Sequence, residues 1–227
     1  MAFNSNVSRW RPSAERWAVW ASARYHTALD ASDVLALISL ESDGDPTAVS
    51  RTGYRGLGQI GSAALTDFNN GVEPEFSVDW EWLIDGTRAD DQIRVIAWHM
   101  ARGRGIVSGW GMPDAHANAA RWADARYSWG GGNLKRSIAT FEAMRGGKPT
   151  FAELAEFEPD AGVPNVRPWL HADRLVARAE SDRGSTPSDR GSTPSIAAWG
   201  GASVAIGAVA FAGLAMVAIG IARILSR

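Results

Sequence analysis

Over the first 180 positions, apolar residues recur at spacings of three and four in short blocks separated by Gly, Pro, Ser and Asp. That is the pattern of amphipathic helices joined by capped turns. Pro12 to about Ala28 places Trp17, Trp20 and Ala21 on one face, with Pro12 in the first turn, where its missing N–H costs nothing. Asp30 or Ser32 caps a short helix carrying Val34, Leu35, Leu37, Ile38 and Leu40, which Gly44 and Pro46 stop near Glu41. Thr87 precedes a helix through Ile93, Ile96, Ala97 and Met100; Pro113 and Asp114 open another through Trp122; Thr150 and Glu153 form a capping box. The one strand candidate is a short hairpin around Ser50 to Tyr54. The class this predicts is mainly α.

The pattern changes after residue 180. SDRGSTP occurs twice in tandem, from Ser181 to Pro187 and from Ser188 to Pro194. Such a Ser, Gly and Pro sequence reads as an extended tether that buries too little apolar surface to order itself. From Ile196 to Ile221 there is no charged residue. At 1.5 Å per residue about 20 residues span a bilayer core, so this run reads as a transmembrane helix. The expected division is a globular domain over 1–180, a linker over 181–195, a membrane helix over 196–222 and a short basic tail over 223–227. The expected location is a membrane, through a single C-terminal anchor. Small residues at Gly201, Ala205, Ala208 and Ala212 give that helix a face for close packing, which admits a homo-oligomer.

Composition narrows the function. The 227 residues carry 21% charged side chains and a net charge of -2, without the clustered basic excess that tracks phosphates, so nucleic acid is not an expected partner. The absence of cysteine excludes disulfides, thiolate metal sites and thiol nucleophiles. The four histidines have no H-E-x-x-H-like pairing and read as surface or hydrogen-bonded helix residues, and no metal or cofactor is expected. The eleven tryptophans fall mostly at helical spacing, so Trp17, Trp20, Trp98 and Trp122 read as packing. Arg102 and Arg104 with their glycines read as a small basic loop.

The candidate chemistry lies in ESDGDPTAVSRTGYRGLGQI, Glu41 to Ile60. An apolar helix delivers one carboxyl group at its end, and a carboxyl held against apolar walls keeps its proton more readily and can act as a general acid. Alone this is a weak signal, because a helix-end Glu usually meets solvent or an arginine such as Arg51 or Arg55. The segment resembles, without a gap, the first two motifs of the lytic transglycosylase family with the goose-type lysozyme fold, E-S-x-x-x-P-x-A-x-S-x-x-G-A-x-G-L-M-Q-I. Glu41, Ser42, Pro46, Ala48, Ser50, Gly53, Gly56, Leu57, Gln59 and Ile60 match; Tyr54 stands in place of Ala and Gly58 in place of Met. About 70 residues further on, ARYSWGGGNL (Ala125 to Leu134) resembles the family's A-x-Y-N-x-G-x-G-x-V through Tyr127, Gly130 and Gly132, with Ser128 in place of Asn.

The resemblance covers roughly residues 30 to 140 and implies a lysozyme-like helical domain that cleaves peptidoglycan between N-acetylmuramic acid and N-acetylglucosamine. It implies Glu41 as the catalytic acid, with Ser42, Gln59 and Tyr127 toward the substrate. Trp129, beside Tyr127, is expected to line the cleft. Glu41 would protonate the bridging oxygen and then take the proton of the C6 hydroxyl, which closes on C1 to give a 1,6-anhydro end. Asp43, Asp45 and Asp67 are the nearby carboxylates for a hydrolytic alternative and read as turn and cap residues. A further alternative is a non-catalytic wall-docking protein. The N-terminus has no secretory signal pattern, and an enzyme ahead of a tail anchor suits a bacteriophage protein carried in the virion or acting at the host envelope.

Overall fold

The computed structural model describes residues 2–157 and 168–185. The chain divides into Met1–Gly191 and Ser192–Arg227, and every described residue belongs to the first unit. The expected membrane helix, the basic tail and most of the linker lie outside the described residues.

The helices are α1 (Ser5–Ser8), α2 (Arg11–Tyr25), α3 (Ala31–Glu41), α4 (Ser62–Gly71), α5 (Ala89–Ser108), α6 (Ala119–Trp129), α7 (Gly131–Arg145), α8 (Phe151–Phe157) and α9 (Pro168–Gly184). Three 3-10 turns between Pro74 and Arg88 lead from α4 into α5. Among the described residues there is no β-strand; the expected hairpin is reduced to isolated bridges, Val49 with Arg55 and Arg55 with Ile60. The mainly α expectation holds for the described part of the chain.

Helix α3 starts where its sequence says. The Asp30 side chain accepts from Asp33 N–H, and Asp33 accepts from Asp30 N–H, a reciprocal cap that satisfies two end donors. Its eight residues from Ala31 to Ile38 are all buried, because α3 lies between α2 and α9. Helix α5 is the central strut, with Ile93, Ile96, Trp98 and Ala101 buried against α2, α6 and α4. A second core joins α6 to α9 around Trp122, Trp129, Leu134, Phe151 and Trp169. Trp98 and Trp122 are fully buried, as their helical spacing predicts.

Three expectations are corrected. Pro113 and Asp114 do not open a helix. Asp114 instead accepts from Asn118, from the Trp122 indole and from Phe151 N–H, pinning the loop before α6 to the start of α8. Arg102 and Arg104 are not in a loop but on α5, paired with Asp67 and with buried Asp33. The linker does not begin at Ser181, because α9 runs to Gly184 and its last turn is docked. Asp182 is 1% exposed and pairs with Arg11 at 2.6 Å and Ser32 at 2.7 Å; Arg183 reaches Asp30 at 2.7 Å and Asp33 at 2.6 Å. Complementary charges on α2 and α3 order a stretch whose composition alone reads as tether.

Candidate active site

Glu41 is the last residue of α3, its side chain 20% exposed. The loop behind it turns sharply, with positive φ at Asp43, Gly44, Gly53, Gly56 and Gln59. Short bonds hold this shape. The Ser42 hydroxyl lies 2.9 Å from the Leu57 carbonyl and 3.2 Å from that of Ile38, so its proton ties the end of α3 to the second half of the loop. Gly56 N–H donates to Ala48 at 2.8 Å. Gln59 donates its side-chain amide to the carbonyls of Gly56 at 3.0 Å and Ala48 at 3.4 Å.

Gln92 on α5 is the anchor that the sequence did not flag. Wholly buried, it accepts from Leu57 N–H at 2.9 Å and donates to the carbonyls of Pro46 at 3.0 Å and Trp82 at 3.1 Å. It therefore binds both arms of the loop to the central strut. A Cβ at Gly56 would come within 2.5 Å of the Gln92 Oε1 and 2.2 Å of the Leu83 carbonyl, so only glycine fits there.

Helix α6 carries Asp124 and Tyr127 on one face, three residues apart. The Tyr127 hydroxyl donates to the Gly58 carbonyl at 2.7 Å. Burial, and then the charges of Glu41 and Asp124, push its phenol well above the ordinary tyrosine range, so it stays a proton donor. Helix α9 adds His171. Its Nδ1 lies 2.7 Å from Asp124 Oδ2, and its Nε2 lies 3.4 Å from Glu41 Oε1. The row is closed at one end and open at the other: the side chain of Asp124 is 1% exposed, of His171 25% and of Glu41 20%.

Burial alone would lower the His171 ring, but hydrogen bonds to Asp124 and Glu41 and their charges push it up to about 10, so the ring is cationic at neutral pH. Burial pushes the Asp124 carboxyl up, against the hydrogen bond from the ring. Arg55, one expected partner of Glu41, instead pairs with Glu81 and covers the Trp80 ring.

Of the five residues singled out from sequence, Glu41 and Tyr127 come into one neighbourhood, and Ser42 and Gln59 shape the loop between them through backbone contacts. Trp129 is the correction. It is 6% exposed and packs edge-on against Trp169 at 5.7 Å inside the second core, so its ring is a packing element and not a cleft wall. Ser128 donates back to the Asp124 carbonyl, a bond within the helix. His171 had no sequence signal, being a lone histidine on a helix remote from the motifs. Asp124 was within reach of sequence reading, one helical turn before Tyr127.

The chain matches no protein-family model, no characterised protein and no solved structure.

Proposed function

We propose that this protein is a peptidoglycan lytic transglycosylase in which Glu41 is the only catalytic carboxyl group. The observation that carries this reading is the meeting of two distant motif segments. Tyr127 of the third motif bonds to Gly58 of the second and feels the charge of Glu41 of the first. A partly exposed carboxyl group, in the electrostatic reach of a buried phenol raised well above its ordinary range and set at the end of a loop of fixed shape, can deliver a proton to a glycosidic oxygen. The carboxylate so formed takes the proton of the C6 hydroxyl as that oxygen bonds to C1 and the glycosidic bond breaks. The proton count on Glu41 is unchanged over the cycle, and no water is consumed.

A hydrolase needs a second carboxyl group across a cleft, about 5 to 9.5 Å from the first according to stereochemistry. Among the sequence candidates, Asp43 accepts from Asn4, Asp45 caps Thr47, and Asp67 pairs with Arg102. Asp124 is enclosed behind the His171 ring. This favours the transglycosylase reading. Membrane attachment through 196–222 and a role in a virion or at a host envelope are part of the proposal on composition alone; among the described residues no helix is long and apolar enough to cross a membrane.

The test is mass spectrometry of purified peptidoglycan digested by the full chain in detergent, beside Glu41→Gln, which keeps the shape and removes the acid. A positioned general acid contributes about 100- to 10,000-fold. Muropeptides one water lighter than hydrolysis products, lost in the variant, are the expected result. Reducing ends would make the protein a lysozyme, and no products from the folded chain would leave a wall-docking role.

A further inference from the structure

Resting on that reading, we propose that His171 is a positioning residue for Glu41, held by Asp124 so that the ring fixes Glu41 Oε1 and leaves Oε2 to meet the glycan. The geometry is that of a three-group row. The buried Asp124 carboxylate has the imidazole Nδ1 at 2.7 Å, and the opposite ring nitrogen faces the catalytic carboxyl at 3.4 Å. An imidazole bonded at one nitrogen is fixed in orientation at the other, the logic by which a buried carboxylate orients a histidine in many active sites.

The three residues come from three helices. Glu41 ends α3, Asp124 lies mid-way along α6 and His171 one turn into α9. Helix α9 packs against both others. The groups facing the ring are Glu41 from α3 and Asp124 from α6, with Tyr127 on the same face of α6. Nearby Arg121 and Asp173 pair with each other, and Arg178 is bonded to Ser39. The last turn of α9 is clamped by the Asp182 and Arg183 contacts, which fix the register of the helix and so the height of His171 over Glu41. A ring that only packed would need neither a buried carboxylate behind it nor a catalytic one in front.

The role separates two kinds of variant. His171→Gln keeps a polar side chain that can hydrogen-bond but loses the cation. Asp124→Ala keeps the ring and removes the acceptor that holds its orientation. A misplacement of the catalytic group by about 1 Å costs on the order of 100-fold, so each is expected to lower kcat by about 10- to 100-fold with KM nearly unchanged. A packing role would move stability and leave the ring's titration midpoint unchanged when Glu41 loses its charge.

The experiment pairs kinetics on purified peptidoglycan with NMR titration of the His171 ring in the full chain, in the native protein and in Glu41→Gln. Loss of an opposite charge at this distance is expected to lower the ring's titration midpoint by about one unit or more. A midpoint that does not move shows the pair uncoupled and overturns the proposal, as does His171→Gln with native kcat. A folded native chain that cleaves no glycan removes the transglycosylase reading and the positioning role together. An active chain with an uncoupled ring removes the positioning role alone.

Discussion

The Tyr127 hydroxyl donates to the Gly58 carbonyl at 2.7 Å, and the missing side chain at position 58 is what makes room for it. A Cβ there would sit 3.0 Å from that hydroxyl, 2.5 Å from Ile96 Cγ1 and 2.9 Å from Ile96 Cδ1. Methionine, usual at this place in the family the segment resembles, has no space here; Ile96 and Tyr127 fill its volume. Gly58→Ala is therefore expected to lose about 1 to 3 kcal/mol of stability through overpacking, read by denaturant unfolding, and to lower glycan cleavage by displacing Tyr127.

Gln92 makes a second prediction. Gln92→Leu preserves approximate volume but strands Leu57 N–H and the carbonyls of Pro46 and Trp82 in a buried site. An unsatisfied buried polar group costs about 1 to 3 kcal/mol. The variant is expected to lose at least that much in chemical denaturation and to expose the 42–61 loop to early proteolysis while the helical content holds.

His99 gives the acid side of the stability profile. Burial beside Trp98 pushes it down to about 4, and its Nε2 meets the Ala64 carbonyl at 2.9 Å. Between its unfolded value near 6.5 and about 4, the unfolded chain binds a proton that the folded chain refuses. Stability falls as pH falls through that window, by about 3 kcal/mol. His171, raised to about 10, works the other way: its contribution is fully present below 6.5 and is lost as pH rises toward 10. Thermal melts across pH should show a dome near pH 6.5, with His99→Gln flattening the acid limb and His171→Gln the alkaline one.

Asp182 tests the docking of α9. It is buried against Arg11 and Ser32, and its removal leaves a charge that is mostly withdrawn from water unpaired. Breaking one partner of a buried pair typically costs about 3 to 5 kcal/mol. Asp182→Ala is expected to lose stability in that range and, by loosening α9, to lower activity in the same direction as His171→Gln; unchanged unfolding would show that α9 docks without this cluster.

How far the sequence reached can be judged from single residues. Helix α3 and its cap at Asp30, the capping box at Thr150 and Glu153 and the buried Trp98 and Trp122 were legible because each depends on neighbours within a turn of helix. Trp129 does not line a cleft, because adjacency to Tyr127 in sequence is not adjacency in space. Successive helical residues point about 100° apart, and with Tyr127 facing Gly58, Trp129 turns into the second core.

The sequence by itself determined the helical class, Glu41 at the end of a buried helix and the loop glycines, since local periodicity, capping and steric demand are written in consecutive residues. Tertiary structure alone decided that Asp124 and Glu41 would flank His171, that Gln92 would span both arms of the loop, and that the first SDRG would dock. Those contacts join residues between 35 and 171 positions apart, and no local preference encodes a pairing whose partners meet only when α5 and α9 pack against α2, α3 and α6.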